Sequence, residues 1–161
     1  SPVKEGNVVE TIMVNFEKSS TATPIGYLKD VGASYGVREN GHTYGWSSSN
    51  SSNVRERNNA TSPDKKHDTF NHMMVSGNRD WEIAVPNGDY RVVVTAGDPS
   101  YFDSVYKIGA EGQLVVDGTP TKSNRFITGS AAISVTDGKL TITNMPRASN
   151  NKIAFIEITP L

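Results

Sequence analysis

Alternation of apolar and polar residues predicts a chain of short β-strands. In the run 89–96, Tyr90, Val92 and Val94 would share one face, as in a strand with one buried side. Comparable runs recur along the chain, and no window has the apolar stripe of a long helix. The predicted strands cover residues 8–16, 81–85, 89–96, 105–108, 113–116, 131–136, 139–144 and 152–158.

Turn residues separate these runs. Asn87-Gly88 and Asp137-Gly138 tolerate positive φ, so each predicts a tight hairpin between the strands that flank it, and residues 109–112 predict another turn. The first and last predicted strands are both strong, and we expect them to pair with each other. Short strands at this spacing are typical of a sandwich or barrel, so the sequence predicts an all-β fold.

Residues 23–77 form an exception, because they contain few β-branched runs and many Gly, Ser, Asn and Arg residues. Aromatic residues such as Tyr27, Tyr44 and Phe70 are spread through this segment, whereas true linkers contain few of them. We therefore predict long loops folded over one end of a sandwich. Loops of such length in a compact domain are usually functional.

Length, net charge and cysteine content exclude several classes of protein function. The 161 residues suit one domain spanning 1–161, with residues 1–7 expected to be the remnant of a linker. Sixteen basic against seventeen acidic residues give a formal net charge of -1, so no overall positive field attracts nucleic acid or a membrane surface. The absence of cysteine excludes disulfides, thiolate catalysis and cysteine-type zinc sites.

Catalytic signatures are weak. The Gly-x-Ser-x-Gly elbow is missing, and Gly97-Asp98-Pro99-Ser100 has proline where a nucleophilic serine would stand. The histidines, His42, His67 and His72, lack zinc-ligand spacing. Seventeen acidic residues allow many carboxylate pairs, so their presence does not single out a glycosidase. We predict no catalytic residues.

Aromatic and arginine residues in loops are the strongest remaining signal. Tyr44-Gly45-Trp46 places two rings beside a glycine, and Tyr101-Phe102 follows a Gly97-Asp98-Pro99 turn after a strand, so we expect these rings to lie on the surface and contact a ligand. An aromatic ring packs well on the C–H face of a sugar. Two other readings stay open: Trp46 and Phe102 could cover the core, and Arg55-Glu56-Arg57 could be a solvated charge run. Trp81 is predicted to be a core residue. The polar residues predicted to contact a ligand are Arg55, Arg57, Asn150 and Asn151.

The C-terminal two-thirds of the chain resembles a known family. The run from Trp81 to Tyr90, the Tyr101-Phe102 pair, Val115-Val116-Asp117-Gly118 and the closing run 152–158 are similar to malectin and malectin-like, galactose-binding-type β-sandwiches. The stretch around Val14-Asn15-Phe16 and Tyr44-Gly45-Trp46 resembles the opening of modules appended to bacterial polysaccharide-degrading enzymes, such as agarase and pectin esterase chains.

The resemblance implies a two-sheet antiparallel jelly-roll sandwich that binds carbohydrate through loops at one end. It implies ligand contacts from Tyr35 or Tyr44, from Tyr101 and Phe102, and from Asn150 and Asn151, although the acidic residue expected at this last place is missing. Related modules often hold a structural calcium ion between the first and last strands. The residues matching that site are Asn15, Glu17 and Glu157.

The expected function is therefore that of a non-catalytic carbohydrate-binding module. It would be secreted by a bacterium and would hold an appended catalytic domain on plant or algal polysaccharide. One alternative is a small polysaccharide lyase or glycosidase that uses carboxylates with Arg55 or Arg57. Another is a protein-binding adhesion domain, because fold does not fix function. Arginine near the aromatic residues would favour an acidic sugar.

Overall fold

A computed structural model describes residues 10–161, so the expected linker remnant at 1–7 and the start of the first predicted strand lie outside the described residues. No helix within 10–161 is long and apolar enough to span a membrane. Besides a 3-10 helix at Ser51–Asn53, the described part forms thirteen strands and one short α-helix. These are β1 (Ile12–Phe16), β2 (Leu28–Asp30), β3 (Gly36–Val37), β4 (Thr43–Trp46), β5 (Val54–Glu56), α1 (Lys65–Asp68), β6 (Thr69–His72), β7 (Trp81–Ala84), β8 (Gly88–Gly97), β9 (Tyr106–Ala110), β10 (Gln113–Gly118), β11 (Phe126–Val135), β12 (Lys139–Asn144) and β13 (Lys152–Pro160).

The strands form two sheets, which confirms the predicted all-β sandwich. The seven-stranded sheet has the order β11-β8-β13-β1-β2, and β6 joins it by pairing with β13 and β5. The six-stranded sheet has the order β10-β9-β12-β7-β4-β3. Pairing is antiparallel except between β1 and β2. The expected partnership of the first and last strands is confirmed, with Ile12 opposite Ile158.

Two predicted hairpins are wrong, because their strands belong to different sheets. β7 lies in the six-stranded sheet and β8 in the seven-stranded one, so the turn at Asn87-Gly88 crosses between sheets. The turn at Asp137-Gly138 makes the same crossing between β11 and β12. The turn at 109–112 does join neighbours, β9 and β10, with Gln113 opposite Ala110.

The segment predicted as long loops contains five strands, β2 to β6, of two to four residues each. Alternation over so few residues is too short to stand out from the surrounding polar sequence. Among them, β4 pairs with β7 and places Trp46 opposite Trp81.

A buried carboxylate fixes the centre of the core. The ring of Phe16 meets those of Trp46 and Trp81 edge-on, with centroids 5.8 and 5.3 Å apart. Both indole N–H groups donate to Asp30, at 2.9 Å from Trp46 and 2.8 Å from Trp81. Trp81 is a core residue, as predicted.

Candidate functional site

Two neighbouring aromatic side chains project into solvent where β8 ends. Tyr101 is 56% exposed and Phe102 44% exposed, and together with Ser100 and Asp103 they line a shallow cavity of about 210 Å³. We call residues 100–103 the aromatic rim. The chain can turn here because Gly97 lacks a side chain: a Cβ would lie 2.3 Å from Cδ1 of Phe126.

The buried side chain of Asp98 stabilises the aromatic rim through hydrogen bonds. Its fully buried carboxylate accepts hydrogen bonds from Nε and Nη2 of Arg57 at 3.0 and 2.7 Å, from Nζ of Lys152 at 2.7 Å and from the Ser100 backbone N–H at 2.8 Å. Burial acts to raise the pKa of Asp98, but the hydrogen bonds from Arg57 and Lys152 outweigh it and keep that pKa below its ordinary value. This network fixes the start of the turn that carries Tyr101.

The cations of this network lie against aromatic faces. The Arg57 guanidinium carbon is 5.2 Å from the centroid of Phe70 and 5.0 Å from that of Tyr101, and Nζ of Lys152 lies 5.2 and 5.7 Å from the same rings. Arg125 lies 4.7 Å from the ring centroid of Phe102. Each exposed ring therefore has a guanidinium against it, which favours a fixed ring orientation.

A second buried carboxylate shapes the loop that precedes α1. Asp68 accepts hydrogen bonds from the backbone N–H groups of Asn58 and Asn59 at 2.7 and 2.9 Å and from the Ser62 hydroxyl at 2.6 Å. The Nδ2 group of Asn59 in turn donates to the Pro99 carbonyl and to Oγ of Ser100, both at 3.2 Å. The loop thereby reaches the aromatic rim.

The expectation that Tyr44 and Trp46 lie on the surface is wrong. Both side chains are buried in the core. The Tyr44 hydroxyl donates to the Lys29 carbonyl at 2.7 Å, and the Trp46 indole is held by Asp30. Because β4 is an internal strand of the six-stranded sheet, these rings have no free face for a ligand.

Tyr35 and Arg55 lie apart from the aromatic rim. Tyr35 precedes β3 on the six-stranded sheet, and Nζ of Lys139 lies 4.7 Å from its ring centroid. Arg55 lies in β5, and its Nη1 donates to the carbonyls of Ser52 and Val54, both at 3.0 Å. Of the two predicted arginines, only Arg57 contacts Tyr101.

The two predicted asparagines differ in their surroundings. Asn151 is buried: its Nδ2 donates to the Lys107 carbonyl at 2.9 Å, and its Oδ1 accepts from the Lys107 N–H at 3.0 Å. It therefore joins the chain to β9 and has no surface for a ligand. Asn150 is half-buried and adopts a positive φ of 57°, and its carbonyl accepts from Ser104 beside the aromatic rim at 2.8 Å.

The residues predicted to bind calcium have hydrogen-bond or ion-pair partners within the chain. Glu17 is buried and paired with Lys29, whose Nζ lies 2.8 Å from Oε2, while Asn15 and Thr23 donate to the same carboxylate. Glu157 accepts instead from the Tyr27 hydroxyl at 3.0 Å. The described residues contain no cluster of three or more His, Asp or Glu suited to a metal. The calcium site at Asn15, Glu17 and Glu157 stays a prediction.

Sequence reasoning missed four residues of the site: Phe70, Asp98, Arg125 and Lys152. Asp98 was considered only as part of a nucleophile motif. A lysine at the start of an apolar strand, Lys152-Ile153-Ala154-Phe155, was a usable signal, because a lysine buried there needs a carboxylate partner.

Comparison with known proteins shows similarity of fold. No protein-family model matches the chain, and no curated protein matches it. Among solved structures, the chain is similar to the Bacillus subtilis protein YXIM, with a TM-score of 0.63, 20% identity and coverage of 94% of this chain and 40% of that one. A chain in the complex of the plant peptide RALF23 with FER and LLG2 gives a TM-score of 0.62 at 12% identity, with coverage of 94% and 40%.

A calcium-binding mutant of Bacteroides uniformis beta-glucuronidase 2 gives a TM-score of 0.58 at 14% identity, with coverage of 94% of this chain and 18% of the enzyme. The chain thus spans less than half the length of each of these proteins. At such identities the likeness concerns architecture, which is the two-sheet β-sandwich described above.

Proposed function

We propose that this chain is a carbohydrate-binding domain and that its ligand packs on the aromatic rim. The observation that carries the proposal is the pair of exposed rings, Tyr101 and Phe102, held in place by the buried Asp98 network. Large exposed aromatic side chains on a rigid support are typical of binding surfaces, and a pyranose offers an apolar face that fits them. The half-buried Asn150 and the Asn59 amide supply polar groups near the rings.

We further propose that the domain is non-catalytic and holds an appended catalytic domain on plant or algal polysaccharide outside a bacterial cell. Its likeness to less than a fifth of a beta-glucuronidase chain supports the placement beside a larger enzyme. Asp98 is poorly suited to act as a general acid, because two cations favour its ionised form. Tethering of this kind raises the local concentration of the partner enzyme on its substrate.

Substitution of the rim tests the proposal. Tyr101→Ala and Phe102→Ala should each weaken retention on a polysaccharide affinity gel by about tenfold, equivalent to about 1.4 kcal/mol, with almost no change in Tm. Each substitution removes contact with the ligand but little packing in the core. Tyr35→Ala is the matched control, because it removes the same side chain from the other sheet and should leave affinity unchanged.

Three results would contradict the proposal. Variants that lose stability and keep affinity would show that the rings only cover the core. Release of reducing ends or unsaturated products by the pure protein would favour the lyase or glycosidase alternative. Failure to retain any polysaccharide across a glycan array would favour a protein-binding domain.

A further inference from the structure

The charges beneath the aromatic rim do not balance. Arg57 and Lys152 share one carboxylate, and both Nη2 and Nζ lie 2.7 Å from Oδ2 of Asp98. Asp103 is more distant, with its Oδ1 4.0 Å from Nζ of Lys152, and its side chain is 72% exposed, so solvent screens it. The charge of Asp68 also acts on Arg57, but the Asp68 carboxylate is paired with Nζ of Lys65 at 3.1 Å. Two cations face one buried anion, and the network carries an excess positive charge.

That excess reaches the surface at Arg57. The Lys152 side chain is only 3% exposed and the Arg57 side chain 22% exposed. Because Lys152 already compensates Asp98, the charge of Arg57 is not cancelled by its own partner. Within residues 10–161, Nη1 of Arg57 makes no hydrogen bond, so it has donors free for a ligand.

A second guanidinium strengthens the positive character of the rim. Arg125 donates through Nη1 to the Pro99 carbonyl at 3.0 Å and through Nε to the Lys122 carbonyl at 2.9 Å. It forms no ion pair with any acid in the described part of the chain. Arg125 thus has no carboxylate partner beside Phe102, and Arg57 beside Tyr101 shares its partner Asp98 with Lys152.

The ring of His72 lies close to the same cations. It lies opposite Lys152 in the β6–β13 pair, and its Nδ1 is buried without a hydrogen-bond partner among the described residues. Burial, and then the charges of Lys152, Arg55 and Arg57, lower the pKa of His72 to about 4. The cations therefore act together on one point, although the whole chain has a formal net charge of -1.

We infer that the ligand of the aromatic rim is an anionic saccharide, whose carboxylate or sulfate pairs with Arg57 and Arg125 while its ring packs on Tyr101 or Phe102. This inference rests on the proposed function. A guanidinium binds such groups through two parallel hydrogen bonds, and an aromatic face beside it excludes water. Lys152 acts as a positioning residue, since it holds Asp98 and leaves Arg57 free to meet the ligand.

Pairs of charged and neutral glycans test whether the ligand is anionic. Affinity gels would contain polygalacturonate or its methyl-esterified form, and a sulfated galactan or its desulfated form. We expect retention at least about tenfold stronger on one charged glycan than on its neutral counterpart, falling with added salt. Preference within the first pair identifies a uronate, and preference within the second identifies a sulfated sugar.

Variants separate a specific contact from general ion exchange. Arg125→Gln should reduce retention on the preferred charged gel several-fold, and by a clearly larger factor than on the neutral gel, because the anionic group loses its partner in addition to any change at Phe102. Lys152→Met should do the same although Lys152 is buried, because Asp98 then neutralises Arg57. Arg91→Gln, which removes an exposed cation from β8, is the matched control and should behave as the wild type. Arg125 lies near the surface, so its variant remains informative even if Lys152→Met does not fold.

The outcomes distinguish the inference from the function beneath it. Equal retention on charged and neutral glycans that still depends on Tyr101 would overturn the anionic ligand and leave carbohydrate binding intact. Equal losses in Arg91→Gln and Arg125→Gln would indicate ion exchange and also overturn it. Retention on none of the four gels, with no binding on a broad glycan array, would instead overturn the proposed function.

Discussion

A single buried carboxylate decides the role of two aromatic residues. Trp46 stands beside a glycine in a polar segment, which suggests an exposed ring, yet its indole N–H finds Asp30 and its ring packs on Phe16. Burial raises the pKa of Asp30, although the hydrogen bonds from Trp81 and Trp46 oppose that effect. Asp30 lies 16 residues before Trp46 and 51 before Trp81, so local sequence does not reveal the partnership.

Asp30→Asn tests this arrangement. An amide has one acceptor oxygen, so its NH₂ group would face one of the two indole N–H donors and leave it unpaired in the core. We expect a loss of about 1–3 kcal/mol in the free energy of unfolding, measured by urea denaturation. Asp103→Asn, at an exposed carboxylate, should leave that free energy unchanged. If the variant keeps its stability but loses saccharide binding, the result would contradict this arrangement and indicate that Trp46 and Trp81 contribute to the ligand site.

At the scale of elements, strand length determines what the sequence reveals. The long runs that became β8, β12 and β13 show clear alternation and were predicted nearly to their ends. The short strands β2 to β6 gain their structure from neighbours in the sheets, so their own sequences carry little signal. The two wrong hairpins have the same origin, because a turn sequence shows where a chain reverses and not which sheet it enters.

Some residues of the candidate site can likewise be predicted from local sequence, and others cannot. Tyr101 and Phe102 follow a glycine-proline turn at the end of a strong strand, and this local pattern correctly predicted their exposure. Asp98 and Lys152 meet across 54 residues, because β13 lies beside β8. Such a contact depends on sheet order, which alternation does not encode.

Close packing between β10 and β11 closes one side of the sandwich. Gly129 of β11 lies so near β10 that a Cβ would be 1.9 Å from the carbonyl oxygen of Val115. Gly129→Ala should therefore force the two strands apart and cost about 1–3 kcal/mol in the free energy of unfolding. Ser130→Ala, at the exposed neighbouring position, should have almost no effect. If thermal melting shows equal Tm values for the two variants, the edges of the sheets are not in contact there.

For the whole molecule, net charge conceals a strong local asymmetry. The formal charge of -1 argues against attraction to polyanions in general, and yet Arg57, Lys152 and Arg125 all lie against the rings of the aromatic rim. Such a distribution suits selective recognition of an anionic group at one site better than non-specific binding. The same cluster also makes the stability of the domain depend on pH.

His72 sets the direction of that dependence. In the unfolded chain it takes up a proton near its ordinary pKa of 6.5, whereas burial and the adjacent cations hold its pKa at about 4 in the folded protein. Between these values the unfolded state binds the extra proton, so the free energy of unfolding contributed by neutral His72 falls as pH decreases from 6.5 to about 4. Asp68 and Asp98, whose pKa values are lowered, lose their stabilising contribution only below about 3.8.

Urea denaturation at a series of pH values isolates this contribution. His72→Gln should flatten the stability profile between pH 6.5 and 4 relative to the wild type, because the neutral amide has no proton to gain. Lys152→Met should confine the loss to higher pH, since removing one adjacent cation raises the pKa of His72 towards its ordinary value. Identical profiles for the wild type and His72→Gln would show that His72 titrates alike in the folded and unfolded chains, and that Arg55, Arg57 and Lys152 do not lower its pKa.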